Sequence, residues 1–173
     1  MLSACLTLSA CMGPSGGEGP RKQTPAPSKV ADDAPEIELA TAPALGWGEH
    51  IAWRHLGEGL AEAKSSGRPV MLVVHASWCG QCKRLKPVFQ DKELSELTRH
   101  FVMVNADQDE VPQTRQYAPD GAYLPRVVFL APETGEVDPS LSNPRRGKDR
   151  HYYGPTDDLV GTMRKALAIH GKS

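Results

Sequence analysis

Apolar residues gather into three short runs, Val70-Met71-Leu72-Val73-Val74, Phe101-Val102-Met103-Val104 and Val127-Val128-Phe129-Leu130. Each is too short for a helix and rich in β-branched side chains, as expected of a strand buried on both faces. They predict strands over Val70–His75, Phe101–Asn105 and Arg126–Leu130. Between and around them the spacing turns helical. Leu56, Leu60, Ala61 and Ala63 predict a helix that ends near Ser66-Gly67. Leu85, Val88 and Phe89 predict a helix over Gln81–Gln90, kinked at Pro87 because proline lacks the N–H the ladder needs. Leu94 and Leu97 carry helical spacing from Asp91 to Arg99, and Pro112–Tyr117 predicts a weak helical turn. Pro132-Glu133-Thr134-Gly135 is a turn, Leu141–Asp149 a polar loop and His151-Tyr152-Tyr153 an edge strand. Thr156 is placed to cap a last helix that runs to about Ile169. Strands alternating with helices predict an α/β fold, a central mixed β-sheet flanked by helices.

The N-terminal part has a different pattern. Residues 1–11, Met1 to Cys11, are small and apolar, and the stretch is far too short to span a bilayer. It resembles the end of a secretory signal peptide. Leu8-Ser9-Ala10-Cys11 resembles the lipobox of bacterial lipoproteins, which implies lipidation of Cys11 and a membrane held through a lipid anchor. Residues 12–45 scatter Pro14, Pro20, Pro25, Pro27, Pro35 and Pro43 among Gly, Ser and charged residues, with no apolar period. Such a segment buries too little apolar surface to offset chain entropy and reads as a disordered tether. The folded domain is expected over 46–173.

Charge narrows the function. The formal net charge is −1, so nothing points to nucleic acid or to an acidic membrane surface. Asn105, Asp107 and Asp109 mimic the start of a calcium loop, but Glu110 stands where that loop needs Gly and Gln116 where it needs Glu. The cysteines form two unlike pairs, Cys5 with Cys11 in the leader and Cys79 with Cys82 in the folded part, which argues against a four-cysteine zinc site. No metal and no cofactor is expected.

Trp78-Cys79-Gly80-Gln81-Cys82-Lys83 follows the first strand directly and opens a helix. Two cysteines two residues apart at that junction are the signature of a redox dithiol. Unpaired N–H groups of the first helical turn favour an anion, so a thiolate forms more easily at Cys79, and the thiolate is the reactive species. Lys83 adds positive charge beside it.

The order of elements and this motif resemble the thioredoxin superfamily. Gly46-Trp47-Gly48-Glu49-His50-Ile51, the Cys79–Cys82 motif, Phe101–Asn105 and Pro119–Arg126 are similar to the thioredoxin domain-containing protein 12 and anterior gradient group. The resemblance implies a thioredoxin-like fold with Cys79 as attacking nucleophile and Cys82 as resolving thiol. It implies a cis Pro125 beside them, and a substrate strand received by Leu124 with contacts from Trp78, Gly80 and Gln81. The implied partners are protein thiols or disulfides and a redox recycling partner. One departure concerns proton handling. The superfamily places a carboxylate six residues before the first cysteine, where this chain has Val73. His75 is a candidate to assist, and His75, Lys83 and Arg126 are candidates to tune the thiols. The last residues, His170-Gly171-Lys172-Ser173, differ from that group's retention tetrapeptide. With the lipobox-like leader, the expected location is extracytoplasmic, a membrane-anchored lipoprotein of a bacterial periplasm or else a secreted protein. The alternative to an oxidoreductase is a client-binding or chaperone-like module of the same fold.

Overall fold

The computed structural model describes residues 39–171. The expected leader, Cys11 and the tether as far as residue 38 lie outside them. The chain runs β1 (Trp53–Arg54), α1 (Leu56–Ser66), β2 (Val70–His75), α2 (Gly80–Leu85), a 3₁₀ segment (Lys86–Gln90), α3 (Lys92–Thr98), β3 (Val102–Asp107), a second 3₁₀ segment (Pro112–Tyr117), β4 (Arg126–Leu130) and α4 (Leu159–His170). The sheet order is β1-β3-β2-β4. β1 and β2 run parallel to β3, while β4 lies antiparallel on β2.

All residues of β2, β3 and β4 are buried, the apolar runs as a doubly covered sheet requires and with them the polar His75, Asn105, Asp107 and Arg126. One face of the sheet, with Met71, Val73, Met103 and Phe129, packs against Trp47, Phe89 and Leu94 and against Leu159 and Met163 of α4. The other face, with Leu72, Val74, Val104 and Val128, packs against Leu56 and Ala63 of α1 and against Tyr117. Local signals set the helix ends. Gly67 stops α1 with φ 71°, a conformation that favours glycine. The Asp91 carboxylate accepts from the N–H groups of Glu93 at 2.9 Å and Leu94 at 3.0 Å and caps α3.

Four local expectations are corrected. The helix expected over Gln81–Gln90 changes to 3₁₀ winding at Lys86, because Pro87 has no N–H for the α-ladder. Asp158, not Thr156, caps α4, accepting from the N–H of Gly161 at 2.7 Å. His151-Tyr152-Tyr153 is no strand. The carbonyl of His151 does accept from Val127 N–H at 2.9 Å, but Tyr152 N–H turns back to Asp149. Finally, packing starts before residue 46. Thr41 and Ala42 donate to the Trp53 carbonyl, Ala42 and Ala44 are buried, and Asn105 Nδ2 donates to the carbonyls of Pro43 at 3.2 Å and Ala44 at 3.3 Å.

Two glycines of α1 give a paired prediction. A Cβ on Gly59 would stand 2.6 Å from Cγ2 of Val104, a rigid and fully buried side chain, whereas a Cβ on Gly57 meets nothing within 4 Å. Gly59→Ala is therefore expected to destabilise by about 1–3 kcal/mol through overpacking. Gly57→Ala should stabilise by up to about 1 kcal/mol through helix propensity. Urea unfolding of the two variants checks the opposite signs.

Candidate active site

The site stands where β2 ends. After His75 the chain turns through Ala76-Ser77-Trp78 and enters α2 with Cys79 as its N-cap. Cys79 and Cys82 are joined as a disulfide with Cα atoms 5.3 Å apart. The Cys79 sulfur accepts from the backbone N–H of Cys82 at 3.0 Å. That N–H is one of the donors a helix start leaves unpaired, so it is aimed at the place where a thiolate would stand. Cys79 is 5% exposed and Cys82 1%, which makes Cys79 the sulfur a partner reaches first. Lys83 and Arg84 lie exposed on the following turn.

Register brings the second wall. Because β4 runs antiparallel to β2, Arg126 at its start faces Val74 near the end of β2. The residues just before Arg126 thus lie at the same end of the sheet as the cysteine turn. The Leu124–Pro125 peptide there is cis. Arg126 is 1% exposed and donates to three backbone carbonyls: Tyr117 at 2.8 Å, Tyr123 at 2.9 Å and Thr114 at 3.2 Å. Burial lowers its pKa, and nearby Tyr123 and Asp120 oppose that shift. The guanidinium is thus committed to the backbone that leads into Leu124 and Pro125. On the outer side Trp78 is 66% exposed, and its indole N–H donates to the Asp109 carboxylate at 2.7 Å. Gln81 is exposed, and its side-chain oxygen accepts from the Tyr152 hydroxyl at 3.3 Å.

At the end of β2, four residues before Cys79, lies a buried polar pair that the sequence only half disclosed. Val73 is wholly buried among apolar neighbours. Two residues on, His75 is 3% exposed, with Nδ1 3.9 Å from the carboxylate of Asp107, its partner in register on β3. His75 Nε2 finds no hydrogen-bond partner among the described residues. Burial pulls the imidazole down to about pKa 4; Asp107 opposes the shift and the Lys86 ammonium reinforces it. The ring lies 5.3 Å from that of Trp47, which meets Phe89 edge-on at 5.2 Å and has the Lys86 ammonium 5.6 Å from its centroid. Trp47 reaches this place because Gly46 and Gly48 take φ 79° and 112°, a fold-back that side chains resist. Asp107, Trp47 and Tyr152 were absent from the sequence-derived site. For Asp107 the available signal was its position three residues past the apolar run Phe101–Val104, at the end of β3.

Among the described residues no group of three or more His, Cys, Asp or Glu is placed to hold a metal. The chemistry open to the arrangement is sulfur exchange, a buried pair of cysteines one turn apart with one sulfur nearer the surface.

Comparison with known proteins agrees with this architecture. A thioredoxin-like family model matches residues 52–132. The chain is 32% identical over 154 residues to the anterior gradient protein 2 homolog of Pongo abelii, covering 84% of this chain and 82% of that one. It is 34% identical over 134 residues to anterior gradient protein 3 of Mus musculus, covering 72% and 76% of the two chains. A thioredoxin from Thermus thermophilus superposes with a TM-score of 0.53 at 24% identity, over 70% of this chain and 89% of that one, a likeness of fold.

The buried imidazole predicts an acid limb of stability. An unfolded histidine takes up a proton near pH 6.5, while folded His75 resists until about pH 4. Between those values the unfolded chain binds more protons, so stability falls as the pH drops through that window. The loss from this group reaches about 3 kcal/mol. Burial lowers the His151 pKa as well and acts in the same sense. Urea titrations at pH 7, 5.5 and 4 should show the decline, and His75→Gln should flatten it; an unchanged pH slope in the variant would assign the decline elsewhere.

Proposed function

The chain belongs to the anterior gradient group of the thioredoxin-like family, and on that footing we propose that it is an extracytoplasmic protein thiol–disulfide oxidoreductase. The observation that carries the reading is the Cys79–Cys82 bridge at the start of α2. A three-residue separation closes little chain entropy, so such a bridge contributes little as a staple.

The reaction follows from the two sulfurs. In the reducing direction the Cys79 thiolate attacks a substrate disulfide. One substrate sulfur leaves as a thiolate and the other is held in a mixed disulfide with Cys79. Cys82, deprotonated, attacks the Cys79 sulfur, closes the intramolecular bridge and releases the second substrate thiolate. Two electrons pass to the substrate, and the two thiolates take protons from solvent. The oxidising direction reverses each step, and a recycling partner restores the starting state. The backbone of Leu124 receives the substrate as an extended strand. Trp78, Gly80, Gln81 and Pro125 line its path. Lys83 favours the thiolate by charge. His75 is the candidate to assist deprotonation of Cys82 where the carboxylate is missing, and only as a weak base, since burial holds its pKa down at about 4. Its support is an Nε2 without a hydrogen-bond partner among the described residues. Arg126 acts at one remove, by holding the Leu124–Pro125 segment.

The reading extends to location. Residues 1–11 serve as leader with Cys11 as lipidation site, the residues from 12 up to the packed segment at Thr41 as tether, and the membrane is reached through that anchor. Cys11→Ser is expected to move the protein from the membrane fraction to the soluble one; an unchanged distribution would dismiss the anchor.

The deciding measurement is the reduction potential of the full chain in graded thiol–disulfide buffers, read by alkylation of Cys79 and Cys82. A value toward about −270 mV makes it a reductase, and one at about −180 mV or above an isomerase or oxidase. Cys82→Ser should accumulate the mixed disulfide, while Cys79→Ser should lose turnover by at least about a thousandfold, the loss expected when an essential nucleophile is removed. A pair that never cycles would leave a client-binding module in place of the enzyme.

A further inference from the structure

We infer that the loop from Asn143 to Gly154 forms a positively charged wall of the substrate site and that the protein selects protein segments with acidic side chains beside the reacting cysteine. The inference rests on the oxidoreductase reading and specifies its substrate.

The loop touches both sides of the site. Tyr152 donates its hydroxyl to Gln81, which lies between the two cysteines, at 3.3 Å. Tyr123, next to Leu124 and Pro125, accepts the His151 N–H on its hydroxyl at 2.8 Å and donates to Asp120 at 2.6 Å. The other oxygen of Asp120 accepts the N–H of Arg150. A substrate strand laid against Leu124 and aimed at Cys79 therefore runs beside this loop.

The loop is built, not loose. Asn143 is 1% exposed and organises it. Its N–H donates to the Arg150 carbonyl at 2.7 Å, its side-chain N–H to the Tyr152 carbonyl at 2.9 Å, and its side-chain oxygen accepts from Arg145 N–H at 3.0 Å. Arg146 lies over the Tyr152 ring at 4.7 Å and pairs with Asp157 at 2.8 Å, which neutralises it.

Among the described residues the remaining cations make no side-chain ion pair, and Asp120, the acid from outside the loop that meets Arg150, has its carboxylate taken up by the Arg150 N–H and the Tyr123 hydroxyl. Arg145, Lys148 and Arg150 are exposed. Arg145 donates to the Thr156 carbonyl and Arg150 to the Ser142 hydroxyl, both uncharged acceptors. Asp149 is the loop's one acid, against those three cations. Lys83 and Arg84 extend the positive field along α2. The opposite flank has the other sign, with Asp109 under Trp78 and Glu110 beside it, both exposed. In a chain of net charge −1 this is a local arrangement and not a consequence of overall basicity. Fields of this kind act mainly on encounter and orientation, and they weaken with salt.

The test uses the reduced full chain and disulfide-linked peptides that differ only in carrying glutamates or lysines on one flank of the cysteine, each flank in turn. Exchange rates are read by acid quench and mass spectrometry. With the charges on one flank, the glutamate peptide should react on the order of tenfold faster at low salt. That ratio should collapse toward one at high salt and in the folded double variant Arg145→Glu with Lys148→Glu. Equal rates for glutamate and lysine peptides on both flanks at low salt would overturn the inference, as would a ratio the double variant leaves intact. If no peptide exchanges at all, the oxidoreductase reading fails separately. Equilibrium binding of the same peptides, read by Trp78 fluorescence, then decides the charge preference: tighter glutamate binding sustains it and equal binding ends it.

Discussion

The structure depends most on the pairing of β4 with β2. β2 runs toward the site and ends at His75, and because β4 is antiparallel it begins at that same end. A parallel β4 would carry Leu124 and Pro125 to the far end of the sheet, a strand length from the cysteines. Parallel pairing with β3 does the converse service, bringing Asp107 to the end where His75 stands. One end of the sheet thus collects the redox pair, the segment that would hold a substrate and a buried titratable pair. None of these groups is near another in sequence except the cysteines and His75.

The legibility of the elements follows the same physics. β2 and β4 match their expected limits because each is an unbroken apolar run between turn-forming residues, and a doubly buried strand must be such a run. β1 went unseen because two residues, Trp53 and Arg54, carry no period; the strand exists only through its pairing with Met103 and Val104. Tyr152 and Tyr153 suggested a strand by composition, but their burial has another cause. Tyr153 is wholly buried with its hydroxyl bonded to Thr162 on α4, and Tyr152 is held by Arg146 and Gln81. The cysteine pair was legible because its chemistry is local. Asp107, Trp47 and Tyr152 were not, since each enters the site through tertiary placement alone.

The departure at Val73 has a physical counterpart in the fold. Filling that position with valine keeps the sheet face dry and moves the nearest titratable group to the strand end, where Asp107 can face His75. A carboxylate buried in the middle of the strand would pay full desolvation with little to hold it. A histidine held neutral avoids that cost at pH 7. Burial keeps the imidazole neutral, and the Lys86 ammonium adds repulsion that offsets part of the attraction from Asp107.

The long connection from β4 to α4 bears on why the charged wall exists. Ordered stretches of this length without regular structure are uncommon in compact domains, and most are functional. Fixing each residue of such a loop costs about 1–2 kcal/mol of backbone entropy, which buried groups must offset. Here they are specific: Leu141, Asn143, His151 and Tyr153 are all buried, and the last three bring polar atoms inside. A connection needed only to span the distance could be short and solvated. This one instead holds Arg145, Lys148 and Arg150 outward from a rigid frame, and the frame is bonded at Gln81 and Tyr123 to the two walls between which a substrate would lie. Rigid placement matters for charge selection, because a mobile cation meets every partner equally while a fixed one rewards a matching anion at one place.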